Sequence, residues 1–186
     1  MKTNNGWNDI IIIKNNKIIK MIARGKRISN SVNNYKKWKE ICIKPHIKKR
    51  FQHHYKYIEP EILVEEYLGD NLTDYKFFCF NGNTKILQVD KDRFNGHTRN
   101  LYDNNFNLLP FNLGNKSNNY ETKKYKNFEK MKYICNKIAS LFEFARIDLY
   151  DINNKIYFGE ITLTPGACNE PFKPLKYDYM VGNYSK

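Results

Sequence analysis

Tight turns between short apolar runs constrain the fold of this 186-residue chain more than any other feature. The clearest example is DYKFFCFNGNTKILQVD, residues 74–90, in which an aromatic run and an aliphatic run flank the sequence Asn81-Gly82-Asn83. Asn and Gly tolerate the positive φ angles that hairpin turns need. Because a tight turn can join only antiparallel neighbours, the sequence predicts largely antiparallel sheets with helices on one side, an α+β arrangement.

Similar patterns predict a further hairpin and two helices. The stretch DIIIIKNNKIIKMI, residues 9–22, predicts a hairpin that turns at 14–17. The basic, aromatic segment from Ser31 to Tyr57 is predicted to begin as a helix, which Pro45 interrupts. Apolar residues at helical spacing predict a second helix; they are Phe128, Met131, Ile134, Cys135, Ile138 and Leu141. We predict loop over 95–120, with a short strand near 100–102, and an irregular tail from 168 to 186.

Charge and cysteine content narrow the class of protein. The formal net charge is +13, and a basic surface attracts nucleic acid, nucleotide phosphates, acidic glycans or anionic membranes. A solvated lysine-rich surface without a specific partner is the simpler interpretation.

Four scattered cysteines with no C-x-x-C pair predict free thiols in a reducing compartment. The longest apolar run, residues 10–13, is too short to span a bilayer, and no signal peptide is evident. We therefore predict a cytoplasmic protein.

The hairpin RIDLYDINNKIYFGEIT, residues 146–162, carries polar side chains at positions where apolar ones would fit. A two-residue turn would put Asp148 and Glu160 on opposite faces of the sheet. A three-residue loop beginning at Asn153 would instead pair Asp148 with Glu160 and Arg146 with Thr162. We predict the three-residue loop, because it leaves nearly every large apolar side chain on one face.

Two carboxylates that face each other need a counter-charge if both are to stay ionised. Arg146 could supply part of that charge. A magnesium ion could supply more, since this hard cation binds through a few carboxylates and completes its shell with phosphate and water. The alternative interpretation is a solvent-facing hairpin with an Arg–Asp ion pair that contributes about 0–1 kcal/mol.

Three stretches, taken in order, resemble the TupA-like ATP-grasp family: EILVEEYLGD, DYKFFCFNG and GEITLTPG. The last hairpin resembles the end of the ATP-grasp fold, where an Arg-x-Asp strand precedes a Glu-x-Asn strand and a Pro-Gly turn. The resemblance covers nearly the whole chain, from Lys2 to about Gly182. No single stretch is diagnostic, and the specificity comes from their order and spacing.

The resemblance implies an ATP-grasp-like α+β fold with two lobes. Residues 1–68 would form the small lobe that covers the nucleotide, and residues 69–186 the large lobe with the metal site. It further implies ATP and Mg²⁺ as cofactors and an ATP-dependent carboxylate–amine ligase that works through an acyl-phosphate. The family is linked to teichuronopeptide and surface-polysaccharide biosynthesis, and its members are sometimes labelled glycosyltransferases, so a glycan is the other acceptor to consider.

Roles for individual residues of the large lobe also follow from the resemblance. Asp148, Glu160 and Thr162 would hold magnesium, with Glu160 bridging between ions. Arg146 would neutralise charge on the transferring phosphate. Lys76 and Arg93 would reach phosphate or acceptor; ordinary surface charge is the other interpretation of these two residues.

In the small lobe, the resemblance implies contacts to the nucleotide. A strand linking the lobes would contact adenine, through Glu65, Glu66, Tyr67 and Leu68. Lys2 would contact the phosphates, and residues 3–6 would form a loop that closes over them with backbone N–H groups.

Two departures from the family pattern bear on activity. Thr162 stands where most ATP-grasp enzymes have a metal-binding Asn, which predicts a weaker site for a second ion. The sequence begins at the first strand of the nucleotide-binding region, without the lobe that precedes it in relatives, which predicts a truncated or inactive copy, a mis-started gene or a fragment. Exposed strand edges at the lobe boundary would also permit self-association.

The main alternative function is a basic module that binds nucleic acid or another polyanion. The stretch YKKWKEICIKPHIKKRFQHHYKY supplies rings for stacking and lysines for phosphates. No RNA-binding signature accompanies it, so we do not expect a nucleic-acid partner. A transferase that uses a nucleotide-sugar is a third alternative, although no parallel βαβ pattern supports it.

Overall fold

The computed structural model describes residues 1–4, 9–23, 26–42, 54, 57–92, 96–114 and 124–185. The chain divides into two compact units, Met1–Gly69 and Asp70–Lys186. The assignment of the first unit as a nucleotide-covering lobe and of the second as a metal-binding lobe stays a prediction. No helix in the described part of the chain is long and apolar enough to cross a membrane.

The first unit contains a five-stranded antiparallel sheet of order β4-β3-β2-β1-β5. Its strands are β1 (Lys2–Thr3), β2 (Ile10–Lys14), β3 (Lys17–Ala23), β4 (Lys26–Arg27) and β5 (Ile62–Leu63). The predicted hairpin is present, because Asn15 and Asn16 take φ angles of 50° and 57° in its turn. These left-handed conformations are the ones that Asn tolerates.

Helix α1 (Val32–Cys42) supplies the core of the first unit. Trp38 is fully buried beside Ile11 and Met21, and its indole N–H donates a hydrogen bond to the carbonyl of Ile22. The helix thus begins as predicted from the basic, aromatic segment. The residues around the predicted interruption at Pro45, 43–53, lie outside the described residues.

The predicted strand that links the lobes is much shorter than expected. Strand β5 ends at Leu63, and Glu65–Leu68 lie outside any strand. The reason is the short partner: β1 pairs with β5 only through Lys2–Leu63 and Thr3–Ile62. Among the described residues no strand continues the ladder beyond these pairs, so the strand assignment for Glu65–Leu68 is wrong.

The second unit is built on a five-stranded sheet of order β11-β10-β6-β7-β8. Its strands are β6 (Asp74–Phe80), β7 (Asn83–Lys91), β8 (Thr98–Tyr102), β10 (Phe144–Ile152) and β11 (Lys155–Thr162). Every neighbouring pair is antiparallel. The predicted α+β class with mainly antiparallel sheets is confirmed.

Helix α2 (Phe128–Ala139) covers one face of this sheet, as the apolar spacing predicted. Phe128, Met131 and Cys135 pack against Phe77, Ile147 and other buried side chains of β6, β7 and β10. The buried side chains of this face form one core cluster of the second unit.

The opposite face is only half covered by apolar structure. Strands β9 (Asn112–Leu113) and β12 (Phe172–Lys173) form a two-stranded sheet, and helix α3 (Lys176–Gly182) follows. The prediction of an irregular tail is wrong, because Phe172 and Val181 are buried against Phe78 and Phe80 and so give the tail regular structure. The rest of this face carries polar side chains.

The last hairpin reaches the predicted pairing by a different route. Asp148 pairs with Glu160 and Arg146 with Thr162, as predicted. The turn, however, has two residues, Asn153 and Asn154, both with positive φ, so the predicted three-residue loop is wrong. A bulge between Asp148 and Leu149 shifts the register by one residue and restores the pairing that the short turn alone would have lost.

Candidate functional site

A set of charged and amide side chains occupies the polar half of the second sheet's face. Strand alternation places them there, since every second residue of β6, β7, β8, β10 and β11 points to this side. Register brings Lys76 opposite both Asp148 and Gln88, and Asp90 opposite both Asp74 and Arg99. We call this set the polar row; its members are Asp74, Lys76, Gln88, Asp90, Arg99, Arg146, Asp148, Glu160 and Thr162.

Asp148 and Arg146 form a bidentate ion pair at the centre of the polar row. Arg146 Nε lies 2.7 Å from Asp148 Oδ1, and Arg146 Nη2 lies 2.8 Å from Asp148 Oδ2. The Asp148 side chain is only 2% exposed and that of Arg146 14%. Two parallel charge-assisted bonds fix the plane of the guanidinium as well as its position.

Arg146 Nη2 contacts three oxygen atoms that belong to residues of two strands, β10 and β11. Besides Asp148 Oδ2, it contacts Glu160 Oε1 at 3.2 Å and Thr162 Oγ1 at 3.1 Å. The Thr162 hydroxyl donates in turn to Glu160 Oε1 at 3.2 Å. Four predicted site residues are therefore brought together, and their oxygens surround a position that favours positive charge.

Lys76, a further predicted site residue, is buried in the same set. Its Nζ lies 2.5 Å from Asp148 Oδ2 and 3.4 Å from Asp74 Oδ1. Asp148 is thus held by two cations at once, Lys76 from the neighbouring strand and Arg146 from its own. The interpretation of Lys76 as an ordinary surface lysine is wrong, because its side chain is only 8% exposed.

A second ion pair extends the polar row on the far side of Lys76. Arg99 contacts both carboxylate oxygens of Asp90, through Nε at 2.7 Å and Nη2 at 3.2 Å, and Gln88 donates to Asp90 Oδ2 at 2.9 Å. Burial acts to raise the pKa of Asp90, but the hydrogen bonds and the charge of Arg99 outweigh burial and hold that pKa below its usual value.

The balance of charge in the polar row is close to neutral. Four carboxylates, from Asp74, Asp90, Asp148 and Glu160, face three cations, from Lys76, Arg99 and Arg146. Burial acts to lower the pKa of Arg146, yet the charges of Asp148 and Glu160 outweigh burial and raise it. The guanidinium therefore stays protonated, and the site presents fixed positive groups beside a pair of carboxylates.

The oxygen donors of this site suit a magnesium ion that arrives with phosphate. In the part of the chain that the structure describes, no three or more His, Cys, Asp or Glu side chains are arranged to hold a metal. Mg²⁺ binds through one or two carboxylates when substrate phosphates and water supply the other ligands. Asp148 and Glu160, with the Thr162 hydroxyl, fit that mode and do not form a cage made of protein alone.

Two of the residues predicted to contact the nucleotide in the first unit form an ion pair. Lys2 Nζ lies 3.0 Å from Glu65 Oε1, because the pairing of β1 with β5 brings the two residues together. Glu66 is exposed, and Tyr67 and Leu68 are half-buried. Arg93 and residues 5–6 of the predicted phosphate-covering loop, which was expected over 3–6, lie outside the described residues. Thr3 belongs to strand β1 and not to a loop.

Sequence reasoning missed four members of the polar row: Asp74, Gln88, Asp90 and Arg99. The signal was present in the strand pattern, since β6 and β7 place polar residues at alternate positions among aromatic and aliphatic ones. A strand that faces solvent would show the same alternation. What distinguishes these residues is their burial, at 1–2% exposure for Asp74, Gln88 and Asp90, and burial depends on tertiary structure.

An α+β chain of two units, with opposed acidic and basic side chains buried on one sheet face, is consistent with the ATP-grasp class. The chain belongs to the TupA-like ATP-grasp family, because the family model described as TupA-like ATPgrasp matches residues 1–186, the whole chain. Comparison with curated proteins and with solved structures found no significant match.

Proposed function

We propose that this protein is an ATP- and Mg²⁺-dependent ligase that joins a carboxylate to an amine. The observation that carries the proposal is the convergence of oxygens from Asp148, Glu160 and Thr162 on one cationic atom, Arg146 Nη2. A magnesium ion bound to nucleotide phosphates would find its preferred hard oxygen ligands on the same three side chains, beside the guanidinium.

The proposed reaction has two steps. The γ-phosphoryl group of ATP passes to an oxygen of the carboxylate substrate, and ADP leaves. The amine nitrogen then attacks the carbonyl carbon of the acyl-phosphate, phosphate leaves, and the nitrogen loses a proton. Both steps develop negative charge on phosphate oxygens, which fixed cations stabilise without reorganisation. Magnesium, held by Asp148, Glu160 and Thr162, would supply further charge stabilisation.

Arg146 and Lys76 are the residues that would act on the transferring phosphate. Both side chains are nearly buried and both are oriented by Asp148. A cation held in this way keeps its position when the phosphate charge shifts, which is the requirement for stabilising a transition state. Asp148 would therefore serve twice, as a metal ligand and as the group that positions both cations.

The nucleotide contacts proposed for the first unit rest on the family resemblance and on one ion pair. Lys2 would bind phosphate, and its contact with Glu65 keeps the ammonium beside the segment Glu65–Leu68, whose backbone would contact adenine. We further propose that Arg93 assists at the phosphate or the acceptor. The family resemblance also supports a role in the biosynthesis of a cell-surface polymer, in which the acceptor is a peptide or a glycan.

The alternative of a polyanion-binding module receives less support from the described residues. Its stacking platform was expected in the aromatic, basic segment. Trp38, the largest ring in that segment, is fully buried in the core, and its indole N–H is used by a backbone carbonyl. It therefore offers no face to a nucleic-acid base.

Titration calorimetry with Mg-ATP tests the proposal. The informative variant is Glu160→Gln, because the Glu160 side chain is 55% exposed and can lose its charge without burying an unpaired group. The matched control is Glu143→Gln, which removes the same charge from an exposed position elsewhere on the second unit. We expect the wild type and the control to bind Mg-ATP alike, and Glu160→Gln to bind much more weakly.

A magnesium-free titration completes the test. In EDTA the wild type should lose most of its affinity for ATP, and the difference between wild type and Glu160→Gln should nearly vanish, because the carboxylate acts through the metal. Equal binding of Mg-ATP by wild type and Glu160→Gln would contradict the proposed role of this site.

A further inference from the structure

A pocket opens beside Arg146 on the same face of the second sheet. Its volume is about 290 Å³, at the small end of the range of about 300–1,000 Å³ that holds small molecules in proteins. Much of the wall is apolar and belongs to one buried cluster and its neighbours: Phe78, Phe80, Leu113, Phe144, Phe172 and Val181. The pocket is therefore suited to a compact apolar group.

Two arginines contribute hydrogen-bond donors to the pocket wall. Arg146 uses Nε and Nη2 within the polar row, and no residue in the described part of the chain accepts a hydrogen bond from its Nη1. Arg99 Nη1 donates to the carbonyl of Leu113 at 2.6 Å, while its other two nitrogens are held by Asp90. Both guanidinium groups line the pocket. Asp148 holds that of Arg146, and Asp90 holds that of Arg99.

Two carboxylates also line the pocket, and each already has a partner in the fold. Asp178 accepts a hydrogen bond from the backbone N–H of Phe172 at 3.0 Å and so is engaged in the fold. Glu170 lies 3.8 Å from Arg99 Nη1, and its side chain is 54% exposed. Water therefore screens the charge of Glu170, whereas the arginines are 12% and 14% exposed.

The loop that borders the pocket has an unusual backbone. Gly166, Ala167 and Cys168 have φ angles of 55°, 53° and 58° in succession. Residues with side chains avoid this region, and they persist there only when the surrounding structure requires it. The loop brings Cys168, the one exposed cysteine among four, to the pocket.

We propose that this pocket binds an organic carboxylate that carries a small apolar body, and that this molecule is the acid substrate of the ligase. The carboxylate would accept hydrogen bonds from Arg146 Nη1 and Arg99. The apolar part of the molecule would pack against the phenylalanine side chains that line the pocket. The assignment as substrate rests on the proposed function, since it places the acid next to the residues that would transfer phosphate. The binding itself does not need a nucleotide.

Phenylacetate is a suitable probe, because it combines a carboxylate with a compact aromatic body. In the wild-type protein without nucleotide, we expect phenylacetate to slow alkylation of Cys168 by iodoacetamide several-fold, as resolved by mass spectrometry. Cys42, Cys79 and Cys135 are buried and serve as internal references. Phenethylamine, with the opposite charge, and acetate, without the body, should leave the rate unchanged.

Three variants locate the binding by calorimetry with phenylacetate. Gly182 lines the pocket, and a Cβ added there meets no atom within 4 Å, so Gly182→Leu should be accommodated, narrow the pocket and abolish binding. Glu170→Gln removes the negative charge near Arg99 and should tighten binding several-fold. Tyr179→Leu alters an exposed residue of the same helix that does not line the pocket, and it should bind like wild type.

The outcomes separate this inference from the proposed function. If Mg-ATP binds through Glu160 but phenylacetate neither binds nor protects Cys168, this inference is overturned and the nucleotide site stands. Equal protection by phenethylamine, or binding that survives Gly182→Leu, also overturns it. If phenylacetate binds as expected and Mg-ATP does not, the carboxylate pocket is supported and its assignment as the substrate site of a ligase falls.

Discussion

Asp148 and Glu160 are paired across two strands, but they differ sharply in their surroundings. Asp148 is buried and holds two cations, Arg146 and Lys76. Glu160 is more than half exposed. Its Oε1 atom accepts hydrogen bonds from Arg146 Nη2 and from the Thr162 hydroxyl. The two carboxylates should therefore contribute very differently to stability, even though both are proposed to act in the same site.

Asp148→Asn should lower the free energy of unfolding by about 3–5 kcal/mol, since it leaves two nearly buried cations without their counter-charge. Glu160→Gln should cost no more than about 1 kcal/mol, as is usual for an exposed ion pair. Urea unfolding followed by circular dichroism measures both values. Equal losses in the two variants would contradict the burial that distinguishes these residues.

Asp90 should make stability depend on pH in acid. Its pKa is lowered in the folded protein, so its contribution is fully present above the unfolded-state pKa of about 3.9. That contribution is lost as pH falls through the lower folded-state pKa. Comparison of wild type with Asp90→Asn by urea unfolding, from pH 7 down to pH 2.5, measures the effect.

The expected result is a stability gap between wild type and Asp90→Asn that is constant near neutral pH and shrinks below about pH 4. Taking the difference removes the contributions of other acidic groups that titrate in both proteins. A gap that stays constant over the whole range would mean that Arg99 does not hold the Asp90 carboxylate in its ionised form.

The residue types of the site could be recognised from sequence, but their environment could not. Arg146, Asp148, Glu160 and Thr162 stood out because strand alternation placed them on one side of a hairpin. The burial of Lys76 depends on β10 lying beside β6, a long-range pairing with no local signal. The same holds for Arg99, whose role depends on its partner in β7.

At the scale of elements, the geometry of the site depends on the bulge between β10 and β11. The unpaired residue of this bulge is Gly159 of β11, opposite Asp148 and Leu149. The two-residue turn alone would pair Ile147 with Glu160, and the extra residue at Gly159 moves Asp148 opposite Glu160 instead. A Cβ at Gly159 would lie 2.9 Å from the carbonyl oxygen of Asp148 and 3.1 Å from the Tyr150 ring. Only glycine lets the two backbones approach so closely.

Gly159→Ala should destabilise the protein by about 1–3 kcal/mol, the usual cost of forcing extra atoms into a packed site. It should also weaken Mg-ATP binding, because the displaced strand carries Glu160 and Thr162. Chemical unfolding and calorimetry measure the two effects. Gly182→Ala is the control: its added Cβ meets nothing within 4 Å, so stability should be unchanged or slightly raised.

The hairpins and the helix α2 could be predicted because their signals are local. Asn-containing turns and the apolar spacing from Phe128 onwards depend only on neighbouring residues. The bulge and the regular structure of the tail could not be predicted in this way. The tail becomes ordered because Phe172 and Val181 find an apolar surface on β6, which is distant in sequence.

At the scale of the whole molecule, ligand binding should be visible as added stability. A ligand at 100 times its dissociation constant stabilises the folded state by about 2.7 kcal/mol. Mg-ATP should therefore raise the unfolding midpoint of the wild type and of Glu143→Gln, and leave that of Glu160→Gln nearly unchanged. The measurement is thermal unfolding with and without Mg-ATP.

A rise of the same size in Glu160→Gln would mean that ATP binds elsewhere. The net charge of +13 makes a loose, salt-dependent association with polyphosphates the obvious alternative. Such an association would weaken steeply between low and moderate salt and would not distinguish Glu160 from Glu143.

The most direct test of the account is the position of the metal in the bound nucleotide complex. Mn²⁺ can replace Mg²⁺ at oxygen sites and broadens the NMR signals of nearby nuclei. With Mn-ATP added to the isotopically labelled protein, we predict the strongest broadening at the backbone amides of Arg146–Asp148 and Glu160–Thr162. The amides of α2, on the opposite face of the sheet, should be broadened much less. Uniform broadening, or broadening centred elsewhere, would contradict the claim that this hairpin holds the nucleotide's metal.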